Sequence, residues 1–335
     1  MRNPIGARIA VSATLLGIMA AGQGSAVAGQ GYADRPEAQP LYEKLESQGF
    51  EHEYLRAVLD DAKQQESILK AMSRPAEKRL TWGEYRKIFV EPKRISQGLE
   101  FWKEHADTLA RAEAQYGVPA EIIVSIIGVE TRYGRIMGNY RVLDALATLG
   151  FDYPKRGEFF LGQLEQYLLM TREEGIEPGT LKGSYAGAMG YGQFIPSSFR
   201  HFAVDFDGDG KRNIWGNPVD AIGSVAHYFS EHGWQPGEPV RSNVVMDKPA
   251  QDEWINADLK PEVTLAQWAE RGIHTQRGLD QDQTATLMRL EMEDGDHYWF
   301  GLHNFYVITR YNHSRLYASA VYELSQAIRE ARGND

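Results

Sequence analysis

The chain contains no cysteine. That absence excludes disulfides, a thiol nucleophile, cysteine-based metal sites and the acylated cysteine of a lipoprotein anchor. A basic tract is missing too: 36 Lys and Arg stand against 46 Asp and Glu, a formal net charge of −10, so neither nucleic acid nor an anionic lipid surface is an expected partner. There is no HExxH, no GxSxG and no P-loop, which removes zinc-peptidase, α/β-hydrolase and P-loop nucleotidase chemistry. The nine histidines are scattered, and lone ones such as His105 and His232 are expected in the core or at the surface rather than as ligands. Beyond the amino end no stretch is apolar enough to span a membrane.

What is present has the composition of a folded protein of more than one domain, with 42% hydrophobic and 24% charged residues over 335 positions. The amino end carries Arg2 and Arg8, an apolar run from Ile9 to Ala21, and Ala26-Val27-Ala28 as an A-x-A cleavage site. It reads as a secretory signal over residues 1–28, because the apolar run is shorter than the ~20 residues that cross a bilayer. Its removal takes away two arginines and moves the formal charge from −10 to −12. A free, exported protein without a membrane anchor is the expectation.

Residues 29–40, "GQGYADRPEAQP", read as a flexible leader. From 41 to 115 the pattern is that of amphipathic helices, with Trp82 and Trp102 as expected core aromatics. A second helical region, richer in glycine and aromatics, covers 116–235. Between 236 and 300, β-like runs such as "VRSNVVM" and "TATLMRLEM" alternate with the helix-like "TLAQWAERG", which predicts a small α/β domain. Residues 301–335 turn helical again and are expected to return to the core region. The fold class is therefore mainly α, in the α+β sense.

Pro119 suits a helix start and Gly134 a helix end, framing "PAEIIVSIIGVETRY" as one helix. At ~100° per residue, Ile122, Ile123, Ile126, Ile127, Val129 and Tyr133 share one side, Ser125, Gly128, Thr131 and Arg132 lie opposite, and Glu130 falls on the apolar side. A carboxyl group half-desolvated there holds its proton more strongly, as a general acid for a glycosidic oxygen must. The other reading is a buried ion pair with Arg132, Arg135 or Arg141.

Two further stretches stand out. "GSYAGAMGYGQFIPSSF", residues 183–199, interleaves glycines with Tyr185, Tyr191 and Phe194, a composition that suits close backbone approach and stacking on sugar rings, or equally a tightly packed turn. No strand precedes it in a βαβ unit, so it is not a dinucleotide signature. "DFDGDGKRNIWGNPVD", residues 205–220, begins like an EF-hand loop, with Asp205, Asp207 and Asp209 at alternate positions, Gly210 sixth, and the Lys211 carbonyl seventh. The twelfth position is Gly216 where a closing glutamate belongs, and the next acid is Asp220. Structural Ca²⁺ is expected, against a merely solvated acidic turn.

"GVETRYG", "YPKRGEFF", "GSYAGAMGYGQF" with "PSSF", and "ITRYNHSRLYA", in that order, resemble the membrane-bound lytic transglycosylase B family of bacterial murein-cleaving enzymes, in its soluble branch. The resemblance runs from about residue 40 to the end. It implies a lysozyme-like core domain with an N-terminal helical domain and a small β-containing domain. It implies non-hydrolytic cleavage of the β-1,4 bond between N-acetylmuramic acid and N-acetylglucosamine, giving 1,6-anhydro products, with no cofactor for catalysis. Glu130 would be the sole acid and base. Ser184 and Gln193 would contact the sugar and its N-acetyl group, and Phe194 would form cleft wall. Tyr228, Tyr311, Asn312 and Tyr317 would line the surroundings of the glutamate, Lys155 and Arg156 would face a peptide or lactyl carboxylate, and Tyr85 would line the cleft from the first domain. The family's acidic loop closes with an aspartate, which makes Asp220 the expected last ligand, one residue late because of Asn217. Peptidoglycan strands in the periplasm are the implied partner, with cell-wall synthesis proteins as further candidates. Two rivals stand beside this reading: a hydrolytic muramidase in which Asp144, Asp152 or Glu158 positions water, and a non-catalytic wall-binding scaffold.

Overall fold

The computed structural model describes residues 31–73, 80–276 and 278–333; the signal segment lies outside them. In chain order the elements are α1 (Gln39–Glu46), α2 (His52–Asp61), α3 (Glu66–Ser73), α4 (Trp82–Phe89), α5 (Pro92–Glu104), α6 (Ala106–Tyr116), α7 (Ala120–Thr131), β1 (Tyr140–Arg141), α8 (Val142–Asp152), α9 (Gly157–Glu174) and β2 (Lys182–Gly183). They continue with α10 (Pro196–Phe202), α11 (Pro218–Glu231), β3 (Arg241–Met246), β4 (Val263–Thr264), α12 (Leu265–Glu270), β5 (Ile273–Thr275), β6 (Thr284–Met292), β7 (Gly295–Gly301), α13 (His303–Tyr311) and α14 (Arg315–Gly333). This is the mainly helical α+β architecture expected. The strands over "VRSNVVM" and "TATLMRLEM" and the helix in "TLAQWAERG" form where their periodicity placed them.

Contacts divide the described residues into two units, one made of 31–73 and 130–225, the other of 80–129 and 226–333. In the first, α8 is buried from Val142 through Phe151 and packs along α9, with α3 against α8 and with α1 and α10 against α9. A helix so uniformly apolar can only be a core helix. In the second, α14 packs on α4, α5 and α13, so the C-terminal return is made chiefly onto the helices of 82–104. The small domain is a five-stranded antiparallel sheet, ordered β4-β6-β7-β3-β5. Leu265, Trp268, Ile273, Leu287 and Phe300 make its core. Glu323 of α14 accepts from Arg86 of α4 at 2.5 Å and from Arg241 of β3 at 3.1 Å, tying sheet and helices together.

The segment read as a flexible leader is packed from Tyr32 onward, which corrects the expectation. Tyr32 is 2% exposed, its ring stacks on Phe151 at 4.8 Å, and its hydroxyl donates to Asp152 at 2.7 Å. The Tyr32 amide donates to Leu59 O, Tyr42 donates to Ala33 O, and Arg35 and Gln64 also bind Asp152. Composition suggested disorder; one well-placed aromatic outweighs it by burying its ring. Tyr32→Phe keeps the stack and loses only the hydroxyl, so it is expected to cost about 1 kcal/mol in urea unfolding.

Candidate active site and acidic loop

Glu130 stands in the last turn of α7 and is half-buried. The helix is not amphipathic in the way its wheel suggested. Ser125, on the face assigned to the opposite side, is 0% exposed and satisfies its hydroxyl by donating to Glu121 O at 2.7 Å, while Thr131 is 1% exposed. Both faces are covered, as the continuous run from Ile122 to Val129 demands.

The helix also ends two residues before the expected Tyr133. Arg132, Tyr133 and Gly134 have φ of 52°, 60° and 80°, and left-handed backbone at a non-glycine residue costs roughly 1–2 kcal/mol. Strain of that kind persists only where surrounding structure holds it. Here the holding groups are visible: the Thr131 hydroxyl donates to Tyr191 O at 2.9 Å and accepts the Gly134 amide at 3.0 Å, and the Ile136 amide donates to Thr131 O at 2.9 Å. A side chain at Gly134 would strike the Tyr191 ring, 2.2 Å from its Cβ.

The reversal leads into the glycine-rich stretch. β1 pairs with β2 through Tyr140↔Gly183 and Arg141↔Lys182. Gly138 lies so close that a Cβ there would sit 2.1 Å from Gly183 O. Within the stretch, bridges join Gly183 to Met189 and Met189 to Phe194. Ser184 Oγ accepts the amides of Ala186 at 3.3 Å and Ala188 at 3.1 Å, which leaves its O–H to donate. Gln193, at φ 52°, gives both side-chain N–H groups away, to Met137 O at 3.2 Å and Gly190 O at 3.0 Å. Its Oε1 is therefore the group it offers a ligand. Phe194 is buried.

Lys155 is exposed, and Arg156 lies half-buried with its guanidinium 4.3 Å from the Phe159 ring centre. Among the described residues neither enters an ion pair, which leaves both cations able to meet an anion. The acids of the muramidase rival are differently placed. Asp144 is buried and accepts from Lys63 N, Gln65 Nε2 and Arg141, and Asp152 is held by Tyr32, Arg35 and Gln64. Arg141 pairs with Asp61 and Asp144. Glu158 is exposed in the first turn of α9.

In the other unit, Tyr228 donates its hydroxyl to Arg310 O at 2.7 Å and meets the Tyr311 ring edge-on at 4.7 Å. His232 stacks on the Tyr228 ring at 4.0 Å and donates from Nδ1 to Tyr228 O at 2.7 Å; burial pushes its pKa down, which favours the neutral ring. It is a packing residue, as expected of a lone histidine. Asn312 is half-buried, Tyr317 is buried with its amide on Ser314 Oγ, and Tyr85 is half-buried beside Phe89 at 5.0 Å. Two supporting residues escaped the sequence reading. Thr131 is one; the other is Arg94, buried on α5, which donates to Gly128 O at 2.6 Å in the last turn of α7. Neither has a local sequence signal, since their partners are 60 and 34 residues away.

The acidic loop brings Asp205, Asp207 and Asp209 together, with carboxylate oxygens within 4.8 Å of one another. Asp205 accepts the amides of Gly208, Asp209 and Gly210, and Asp209 that of Lys211. Asn217 donates to Asp207 at 2.7 Å and holds its carboxyl below the usual range. Asp220 is not among the three. It is 0% exposed and closes the loop from within, accepting Phe206 N and Asn213 N at 2.8 Å each; burial raises its pKa against those amides. Three convergent hard oxygens fit a calcium-like cation.

An acid ending a buried helix, a strained turn after it, and a polar loop bound to that turn make a candidate site in a mainly helical fold. Comparison with known proteins gives the family. The chain belongs to the transglycosylase SLT domain family, whose model matches residues 33–326. It is 48% identical over 314 residues to the membrane-bound lytic murein transglycosylase B of Escherichia coli K12, covering 91% of this chain and 86% of the relative. Among solved structures it is similar to the catenated lytic transglycosylase SltB1 of Pseudomonas aeruginosa, with TM-score 0.87 and 52% identity over 90% of this chain and 99% of that one. It also resembles E. coli Slt35 solved in complex with calcium, with TM-score 0.83 and 47% identity over 94% and 99% of the two chains. The protein is thus a lytic murein transglycosylase, a lyase acting on peptidoglycan. No helix among the described residues is long and apolar enough to cross a membrane.

Proposed function

We propose that Glu130 alone carries the acid and base steps. As an acid it protonates the N-acetylglucosamine oxygen leaving the muramyl C1. As the resulting carboxylate it accepts the proton of the muramyl 6-hydroxyl, whose oxygen bonds to C1 and closes the 1,6-anhydro ring. Atoms balance without water, and an internal nucleophile makes a second protein carboxylate unnecessary. The observation that carries this reading is the binding of the strained turn after Glu130 to the 183–194 loop, through Thr131 and Tyr191.

That loop offers one donor, the Ser184 hydroxyl, and one acceptor, Gln193 Oε1. The pair is complementary to an acetamido group, whose carbonyl accepts and whose N–H donates. Phe194 backs the loop. Lys155 and Arg156 face a stem-peptide or lactyl carboxylate, Tyr85, Tyr311 and Asn312 contact the glycan strand, and the buried Tyr228 and Tyr317 support that lining from within. Ca²⁺ sits on Asp205, Asp207, Asp209 and the Lys211 carbonyl, with Asp220 closing the loop as the last acid; the calcium complex of the E. coli relative supports this. Its role is structural. After removal of residues 1–28 the enzyme works in the periplasm, on peptidoglycan strands and beside cell-wall synthesis proteins.

Mass analysis of muropeptides released from purified sacculi tests the chemistry. Products lacking one water relative to hydrolysed fragments are expected. Reducing-end muramic acid as the main product would transfer the assignment to the hydrolytic rival, and sacculus binding with no release would transfer it to the scaffold.

A further inference from the structure

The acidic loop and the Glu130 turn are joined by a short run of hydrogen bonds. Asp220 holds the Asn213 amide at 2.8 Å; one residue on, Ile214 O accepts the Tyr191 amide at 3.0 Å; Tyr191 O accepts the Thr131 hydroxyl at 2.9 Å. Thr131 Oγ1 in turn accepts the Gly134 amide at 3.0 Å, bracketing the left-handed residues Arg132 and Tyr133. Every group in the run is backbone, apart from the Asp220 carboxylate at one end and the Thr131 hydroxyl at the other. Thr131 follows Glu130 directly in the chain and is 1% exposed. Its hydroxyl both donates and accepts, so the turn that follows Glu130 is clamped at one oxygen atom.

We propose that Thr131 is the positioning residue of the Glu130 carboxylate, and that the acidic loop acts on the reaction through Tyr191 and Thr131. The proposal rests on Glu130 as the acid and, for its second half, on cation binding at Asp205, Asp207 and Asp209. It adds that the loop does more than stabilise the fold: ordering residues 205–220 holds Ile214 O, and thereby the Tyr191 backbone and the Thr131 clamp, in the geometry the strained turn requires. Reaction geometry is sensitive to displacements of about 1 Å, worth on the order of 10²-fold in rate.

The test uses the full mature chain and soluble muropeptide oligomers. Thr131→Val keeps shape and removes both hydrogen bonds; Thr131→Ser keeps the hydroxyl. The valine variant is expected to lose on the order of 10² in kcat with KM and sacculus binding unchanged, and the serine variant to stay near wild type. Wild-type kcat in the valine variant overturns the proposal, as does an equal loss of binding and turnover in both variants. Amide hydrogen exchange over residues 131–138, with Ca²⁺ or with EDTA, reads the coupling without turnover and remains decisive if the valine variant fails to fold. Exchange there should speed up on chelation in wild type. No change at 131–138 in a protein whose Tm does fall on chelation overturns the coupling. If EDTA alters neither exchange nor Tm, the calcium reading fails, and with it the loop's part in the proposal, while the valine and serine comparison still decides Thr131.

Discussion

Glu130→Gln should release no 1,6-anhydro muropeptides from sacculi while still binding them. The substitution preserves size and removes the transferable proton. Positioned acid–base groups are worth 10²–10⁴ in rate, and one residue performing both transfers places the loss at about 10³ or more. Turnover within tenfold of wild type would mean that another acid does the work. Asp144 and Asp152 are poor substitutes because each is saturated by structural donors, so such a result would direct attention to Glu158.

The second large effect is expected at Gln193. Its amide nitrogen is bound to two carbonyl oxygens, Met137 O and Gly190 O, and a carbonyl can only accept, which settles the orientation of the amide. Gln193→Glu is nearly isosteric yet aims an anionic oxygen at both carbonyls and removes both donors. Leaving these part-buried polar groups unmatched costs ~1–3 kcal/mol each, so kcat/KM should fall on the order of 10²-fold. Gln193→Glu with wild-type kcat/KM would show that the loop is not held through this amide.

These effects depend on parts of the molecule that differ in how far a linear reading reaches. The acid was legible because a charge inside "SIIGVETRYG" contradicts its neighbours, and a violated pattern is itself a signal. The strands over 241–246 and 284–292 were legible from alternation, which is local. The end of α7 was not. Nothing in "ETRYG" announces that Arg132 and Tyr133 adopt left-handed backbone, because their conformation is imposed by Tyr191, 60 residues beyond Thr131. The leader failed for the same reason in reverse: a polar composition suggested freedom, and Phe151, Leu59 and Asp152 supplied a seat for Tyr32. In the acidic loop the three alternating aspartates could be read directly, whereas Asp220 could be placed only by seeing that its oxygens already hold Phe206 N and Asn213 N.

Residue order alone determined the chemistry available: a carboxylate late in an apolar helix, an oxygen-rich acidic loop, glycines where backbones must touch, and no thiol or basic tract. Tertiary structure decided which atoms those groups commit: Ser184 Oγ accepts two amides, the Gln193 amide nitrogen donates to two carbonyls, and Thr131 Oγ1 both donates and accepts. The division follows from range. Periodicity and composition act over a few neighbouring residues, while the polarity of a side chain toward a ligand is whatever remains after distant backbone groups have taken their share of its hydrogen bonds.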